Sequence, residues 1–381
     1  MLVHGGRRGI PGILGRLCLL STLAAAALGA SAGPVAAQVH AEGPLSPVKP
    51  LKGELLRVTV HGRSLEGNLA GDTPDRPVTV YLPPSYGTSP DRRYPVVYML
   101  HGFTDNDLHW MGWQEHFVNA PAAFERALAA GTAREMILVM PNAYTAFAGS
   151  MYSSSVTTGD WETYVADELV AWVDSHYRTI ADRDSRGLTG HSMGGYGTVR
   201  IAMERPDVFS SFYAMSPCCM AARTGGGAPL PGMERLEAVA SFEELDEAGF
   251  GVRAIFASAA AWSPNPQNPP FYVDLPTRDG EPRADVYARW TANAPLVTVH
   301  QHIPELRRYE AIFLDAGAQD RGIAATVRAL DAVLTAYGID HTAEIYDPGN
   351  HISRVDERIE RHVLPFFTEH LAFGPTGPNS R

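Results

Sequence analysis

The chain has 381 residues, 45% of them hydrophobic, and a formal net charge of −11. That length suits one large α/β domain, or one domain with an insertion, and can bury a sizeable core. The acidic balance excludes nucleic acid as a partner, because phosphate binding needs clustered Lys and Arg, and no such run lies outside the N-terminus.

At the N-terminus, Arg7, Arg8 and Arg16 flank or precede an apolar run from Leu17 to Ala30, and small residues offer cleavage after Ala32 or Ala37. Residues 1–37 therefore read as a secretory signal peptide. The run is too short for a membrane span, so the expectation is a secreted or periplasmic protein with no stable span after cleavage. Residues 38–52, rich in Pro, Gly and polar groups, read as a flexible tether. The main domain is expected over 53–372, followed by a disordered tail over 373–381.

Strands are expected at 53–60 and 78–82, the second stopped by Pro83-Pro84. From Tyr94 onward, strand and helix alternate. Short continuous apolar runs, the mark of central parallel strands, fall at 96–100, 136–140 and 211–215, and a strand at 186–189 leads into a glycine-rich turn. Helical spacing predicts helices at 120–130 and 163–177, the latter capped by Asp160. Residues 221–304 break the rhythm with many Gly, Pro and Trp. A structureless loop of that length is foreign to a compact domain, so a partly helical, lid-like insertion is expected. The rhythm returns with strands at 309–314 and 342–346 and helices at 323–337 and 353–370. This alternation predicts a mostly parallel central sheet with helices on both faces.

Cys218 and Cys219 are the two cysteines beyond the leader. Adjacent cysteines do not readily form a relaxed disulfide, and their apolar surroundings predict small buried hydrophobes. His300-Gln301-His302 has the spacing of a two-ligand metal strand, but no Cys or acid cluster completes it.

Gly190-His191-Ser192-Met193-Gly194 carries the strongest chemical signal. It is a G-x-S-x-G elbow between a predicted strand and a predicted helix, where only small flanking residues let the serine sit on a strained turn. A serine hydroxyl needs a base. Of fourteen histidines, His351, after the last predicted strand in Asp347-Pro348-Gly349-Asn350-His351, is the best placed. The orienting acid should end the preceding strand, where Asp315 and Asp320 compete. Asp320 is preferred because loops beyond the carboxyl edge carry the site in open α/β sheets. Two backbone N–H groups must stabilise the oxyanion, expected from Met193 and from Phe103 in the loop after strand 96–100. His101 reads as a structural hydrogen bonder below the site. Trp110, Trp113 and Trp161 are candidate substrate-binding residues, the first two because they follow the oxyanion loop directly.

These pieces resemble, in order and spacing, the esterase family of the α/β-hydrolase superfamily that includes esterase D, the enterochelin esterases, bacterial feruloyl esterases and the antigen 85-type mycolyltransferases. The matching segments are 94–102, 158–164, 190–195, 317–320 and 349–351. The resemblance implies an α/β-hydrolase fold and acyl transfer through an acyl-enzyme, with Ser192, Asp320 and His351 as triad, Phe103 and Met193 as oxyanion donors, and no metal or organic cofactor. The long insertion departs from the compact feruloyl esterases, so chemistry transfers from the family and specificity does not. The expected activity is hydrolysis of carboxylic esters, on feruloyl or acetyl sugar esters or another small-molecule or carbohydrate ester. An acyltransferase of the same fold, passing the acyl group to a sugar, is the alternative; a glycan-binding protein on an inactive hydrolase scaffold is the alternative of another class.

Overall fold

The computed structural model describes residues 45–223 and 233–374. The expected signal peptide, the start of the tether, part of the insertion and most of the tail lie outside the described residues.

Eight strands form one sheet: Glu54–His61 (β1), Asp75–Leu82 (β2), Val96–Leu100 (β3), Ile137–Pro141 (β4), Arg186–His191 (β5), Ser211–Met215 (β6), Ala311–Gly317 (β7) and Thr342–Tyr346 (β8), in spatial order β1-β2-β4-β3-β5-β6-β7-β8. The β1–β2 and β2–β4 pairs are antiparallel, and every other pair is parallel. Along β3 the side chains alternate between two layers. Val96, Tyr98 and Leu100 join one apolar core, and Val97 and Met99 join the other. Neither face meets water, which is why the run reads as uninterrupted apolar residues.

Helix Ala120–Ala130 (α1) and the C-terminal helix ending in Leu364–His370 cover one face. The other is covered by a helix ending in Val170–His176, by Met193–Glu204 (α2), by Phe250–Trp262 (α3) and by Arg321–Ala336 (α4). Asn119 caps α1 by accepting the Ala122 N–H, and Gly131 ends it in the left-handed conformation at φ 72°. Asp160 caps Trp161–Thr163 as its position predicted.

Three expectations need correction. β2 extends three residues before its predicted start, through Arg76 and Pro77. The buried Arg76 guanidinium can sit inside a sheet because it donates to the Asn142 and Tyr144 carbonyls. The tether is not free over its described part, since Val48 N–H donates to Gly112 O at 2.9 Å, and Lys52 and Gly53 N–H both donate to Glu125. The described part of the insertion is partly helical as expected, yet it is built into the core instead of standing off it as a lid. Trp262 and Trp290 are buried, and their indole N–H groups donate to Ser153 Oγ at 3.1 Å and Ser263 Oγ at 2.8 Å.

Among the described residues, no helix is long and apolar enough to cross a membrane.

Candidate active site

Ser192 stands between β5 and α2 with φ 58° and ψ −113°, a strained backbone that the neighbouring glycines make possible. A Cβ on Gly194 would lie 1.9 Å from Leu100 O, and one on Gly190 would lie 2.4 Å from Gly194 O. Both obstacles are backbone, so neither can move aside. The elbow is anchored by Ser192 N–H donating to Met215 O at 3.0 Å.

Two loops meet opposite the elbow. Ala318 N–H donates to Tyr346 O and Gln319 N–H to Gly349 O, lacing the turn after β7 to the turn after β8. Asn350 shapes the second turn by accepting the Ile352 and Ser353 N–H groups. The result is a continuous chain of hydrogen bonds. Asp320 Oδ2 lies 2.6 Å from His351 Nδ1, and His351 Nε2 lies 2.8 Å from Ser192 Oγ.

Asp315, the competing carboxylate, is elsewhere. β7 runs on to Gly317, so Asp315 lies inside the strand and is buried. Its Oδ2 accepts from Tyr213 Oη at 2.8 Å and from Arg358 Nε at 2.9 Å. Burial pushes its carboxyl group up, against the opposing pull of Arg358.

Met193 is the first residue of α2, so its N–H has no acceptor within the helix. Phe103 lies in the loop after β3, and its ring and the Met193 thioether both crowd Gly149. The side chains of the two predicted donor residues thus meet at Gly149. His101 is fully buried below them. Its Nε2 accepts the Ala143 N–H at 2.8 Å, leaving Nδ1–H to donate to Gly102 O at 2.9 Å, and burial pulls its pKa down.

His191, the unassigned residue of the elbow, also serves the site. Its ring is buried, with a pKa lowered to about 3 by burial and by the neighbouring His351. A neutral imidazole facing a carbonyl must carry its proton there, so Nε2–H donates to His351 O at 2.7 Å. No spacing rule pointed to this contact, which joins residues 160 apart in the chain.

The three tryptophans proposed for substrate require correction. Trp110 is 0% and Trp161 1% exposed, and a ring that no water can touch lines no pocket. Their indole N–H groups are satisfied internally, by Asp105 and by Thr158 O. Trp113 is also in the core and donates to Thr79. The rings that face outward near the site are Phe103 and Phe250, which meet edge-on with centroids 5.4 Å apart. Phe250 is exposed and lines a cavity of about 620 Å³ with Arg235, Val239, Glu247 and Val252.

His300 and His302 face Tyr337 and Glu204 separately. Asp105, His109 and His116 do bring three donor atoms within 4.8 Å of one another. However, the two imidazoles stack almost in parallel, 11° apart with centroids at 4.9 Å, so their in-plane lone pairs do not converge on one ion. The trio instead ties down the loop after β3, with Asp105 Oδ1 3.2 Å from His116 and 3.5 Å from His109.

The family model described as "Putative esterase" matches residues 73–354, well over half of the chain. The chain is 35% identical over 136 residues to Esterase Rv1288 of Mycobacterium tuberculosis, covering 35% of this chain and 27% of that one. It is 31% identical over 140 residues to an endo-1,4-beta-xylanase/feruloyl esterase of Xylanibacter ruminicola, covering 36% and 19%. The chain thus matches about a quarter or less of these relatives' length. Among solved structures, a ferulic acid esterase superposes with a TM-score of 0.59 at 20% identity, covering 84% of this chain and all of that one. An S-formylglutathione hydrolase from Agrobacterium tumefaciens superposes with a TM-score of 0.53 at 17% identity, covering 86% and 99%. Likeness at that identity speaks for the fold, whereas the family match speaks for descent. With an eight-stranded, mostly parallel sheet carrying a serine elbow at its centre, the chain belongs to this esterase family and folds as an α/β-hydrolase.

Proposed function

We propose that the protein is a serine carboxylic-ester hydrolase acting through an acyl-enzyme. The observation that carries this reading is the unbroken Asp320–His351–Ser192 hydrogen-bond chain on a strained elbow. His351 Nε2 takes the Ser192 proton as Oγ attacks the acyl carbon, and then delivers it to the leaving alcohol. Asp320 holds Nδ1–H and stabilises the imidazolium. The Phe103 and Met193 N–H groups receive the charge that develops on the carbonyl oxygen. Water, activated by the same histidine, releases the acid.

The substrate is a small-molecule or carbohydrate ester. A cavity lined by the exposed Phe250, whose ring meets Phe103 edge-on, supports an acyl or alcohol group with an apolar, ring-sized body, in keeping with the feruloyl esterase among its relatives. The arginine-flanked apolar leader supports export, so the substrate is met outside the cytoplasm.

The test is hydrolysis of p-nitrophenyl acetate and of methyl ferulate by the protein and by Ser192→Ala. Turnover that vanishes in the variant is expected. Equal rates in both would remove Ser192 from the mechanism.

A further inference from the structure

Behind the nucleophile, the turn after β6 holds the two adjacent cysteines. It is a tight turn, with Ser216 at φ 41° and Cys219 at φ 61°. It is pressed against the start of α2, where a Cβ on Gly195 would lie 2.6 Å from Met215 O and 2.9 Å from Pro217 Cα. Cys218 N–H donates to Ser192 O at 3.1 Å, so the turn grips the nucleophile's own carbonyl.

Cys218 and Cys219 pack against the apolar core. Both are partly exposed, and their Sγ atoms lie 2.8 Å apart. Arg223 Nη2 stands 3.4 Å from Cys219 Sγ, and its guanidinium is held over the rings of Trp262 and Trp290. The hydrogen bond from Cys218, aided by Arg223, lowers the Cys219 thiol to about 7, while the Cys218 thiol is raised. One sulfur is thus prepared as an attacking thiolate, with a partner in contact to resolve the product.

We propose that Cys218 and Cys219 form a redox modification site, which a disulfide-type oxidant closes into a vicinal disulfide that loosens the turn's grip on Ser192 and slows that serine. The Cys219 thiolate attacks the oxidant's disulfide, forming a mixed disulfide and expelling one thiolate. Cys218 then loses its proton and attacks Cys219 Sγ, expelling the second. Two protein thiols are oxidised, and one oxidant disulfide is reduced to two thiols. Adjacent Cα atoms stand only about 3.8 Å apart, closer than disulfides prefer, so the bond is readily reduced again. Closing it turns the backbone on both sides of Cys218, including the Pro217–Cys218 peptide, and carries the Cys218 N–H off the Ser192 carbonyl. The effect on the serine rests on the esterase reading above; the disulfide does not.

Full-length protein is treated with oxidised glutathione or with dithiothreitol and then blocked with iodoacetamide. The digested peptide carrying both cysteines is weighed, and the rate of fluorophosphonate labelling at Ser192 is followed in parallel. The oxidised sample should give an unalkylated peptide lighter by two hydrogens than its reduced form, and labelling should slow by about threefold or more, since small displacements at a nucleophile cost large factors in rate. Neither Cys218→Ser nor Cys219→Ser should show that change. Two alkylated cysteines after the oxidant, or a persistent glutathione adduct, would overturn the site. A vicinal disulfide with an unchanged labelling rate would overturn its control of the serine. A serine inert to the probe in both states would sink the esterase reading, and the peptide masses would still decide the disulfide.

Discussion

His191 donates its Nε2–H to the carbonyl oxygen of His351 at 2.7 Å, so the residue before the nucleophile holds the backbone of the base. Burial and the neighbouring His351 hold its pKa at about 3, so the buried ring stays neutral in the folded protein. In the unfolded chain the same imidazole titrates near 6.5. Between those values the unfolded chain binds a proton that the folded chain does not. Stability is therefore full above about pH 6.5 and falls as the pH drops toward 3, by about 1.4 kcal/mol per pH unit for this group. Urea unfolding from pH 7 to pH 4 should show that slope, and His191→Gln, which keeps a donor without the titration, should flatten it by about one proton. An unchanged slope in the variant would exclude His191 as its source.

The two carboxylates should separate cleanly. Asp320→Asn is expected to cut turnover by about 10³–10⁴-fold with the melting temperature preserved, because it disturbs the histidine tautomer alone. Asp315→Asn removes one of the two carboxylates paired with the buried Arg358, at 2.9 Å, and leaves Glu344 at 2.6 Å. It should lose stability by about 1–3 kcal/mol while turnover per folded molecule persists. Thermal melts combined with active-site titration distinguish the two, and the reverse pattern would make Asp315 the acid.

Gly194→Ala should abolish activity by about 100-fold or more, because its Cβ would be driven into Leu100 O and the elbow would have to open. Initial rates on p-nitrophenyl acetate measure this. A variant with wild-type rates would mean that the elbow is not under the steric constraint described.

Phe250→Ala should raise KM for an aromatic acyl ester by about 10-fold, the order of one lost buried aromatic contact. KM for the acetyl ester should change little. Parallel KM measurements on methyl ferulate and p-nitrophenyl acetate test this, and equal changes on both would place the acyl group away from the cavity.

Much of this arrangement was legible in the sequence where a single local cause dominates. β3, β6 and β8 fall at their predicted bounds because each is a short apolar or alternating run closed by a turn. Ser192 and His351, singled out by the elbow pattern and their place after particular strands, lie 2.8 Å apart. Long-range causes were hidden. The start of β2 was placed at 78, because nothing local shows that the Arg76 guanidinium meets the Asn142 and Tyr144 carbonyls of another segment. The tryptophans read as pocket walls because aromatic residues near a site look alike until burial is known. β7 was expected to start and end earlier than it does, because its C-terminal end is set by Gly317 packing against Gly349, two residues that no local pattern connects.

The hydrogen-bond chain of the site also has a temporal meaning. Ser192 must wait for a histidine 159 residues further along, and the carboxylate of β7 must wait for Arg358 in the closing helix. During synthesis, the serine emerges long before anything can activate it. Ester-cleaving power therefore arises only once the segment carrying His351 has folded onto the elbow.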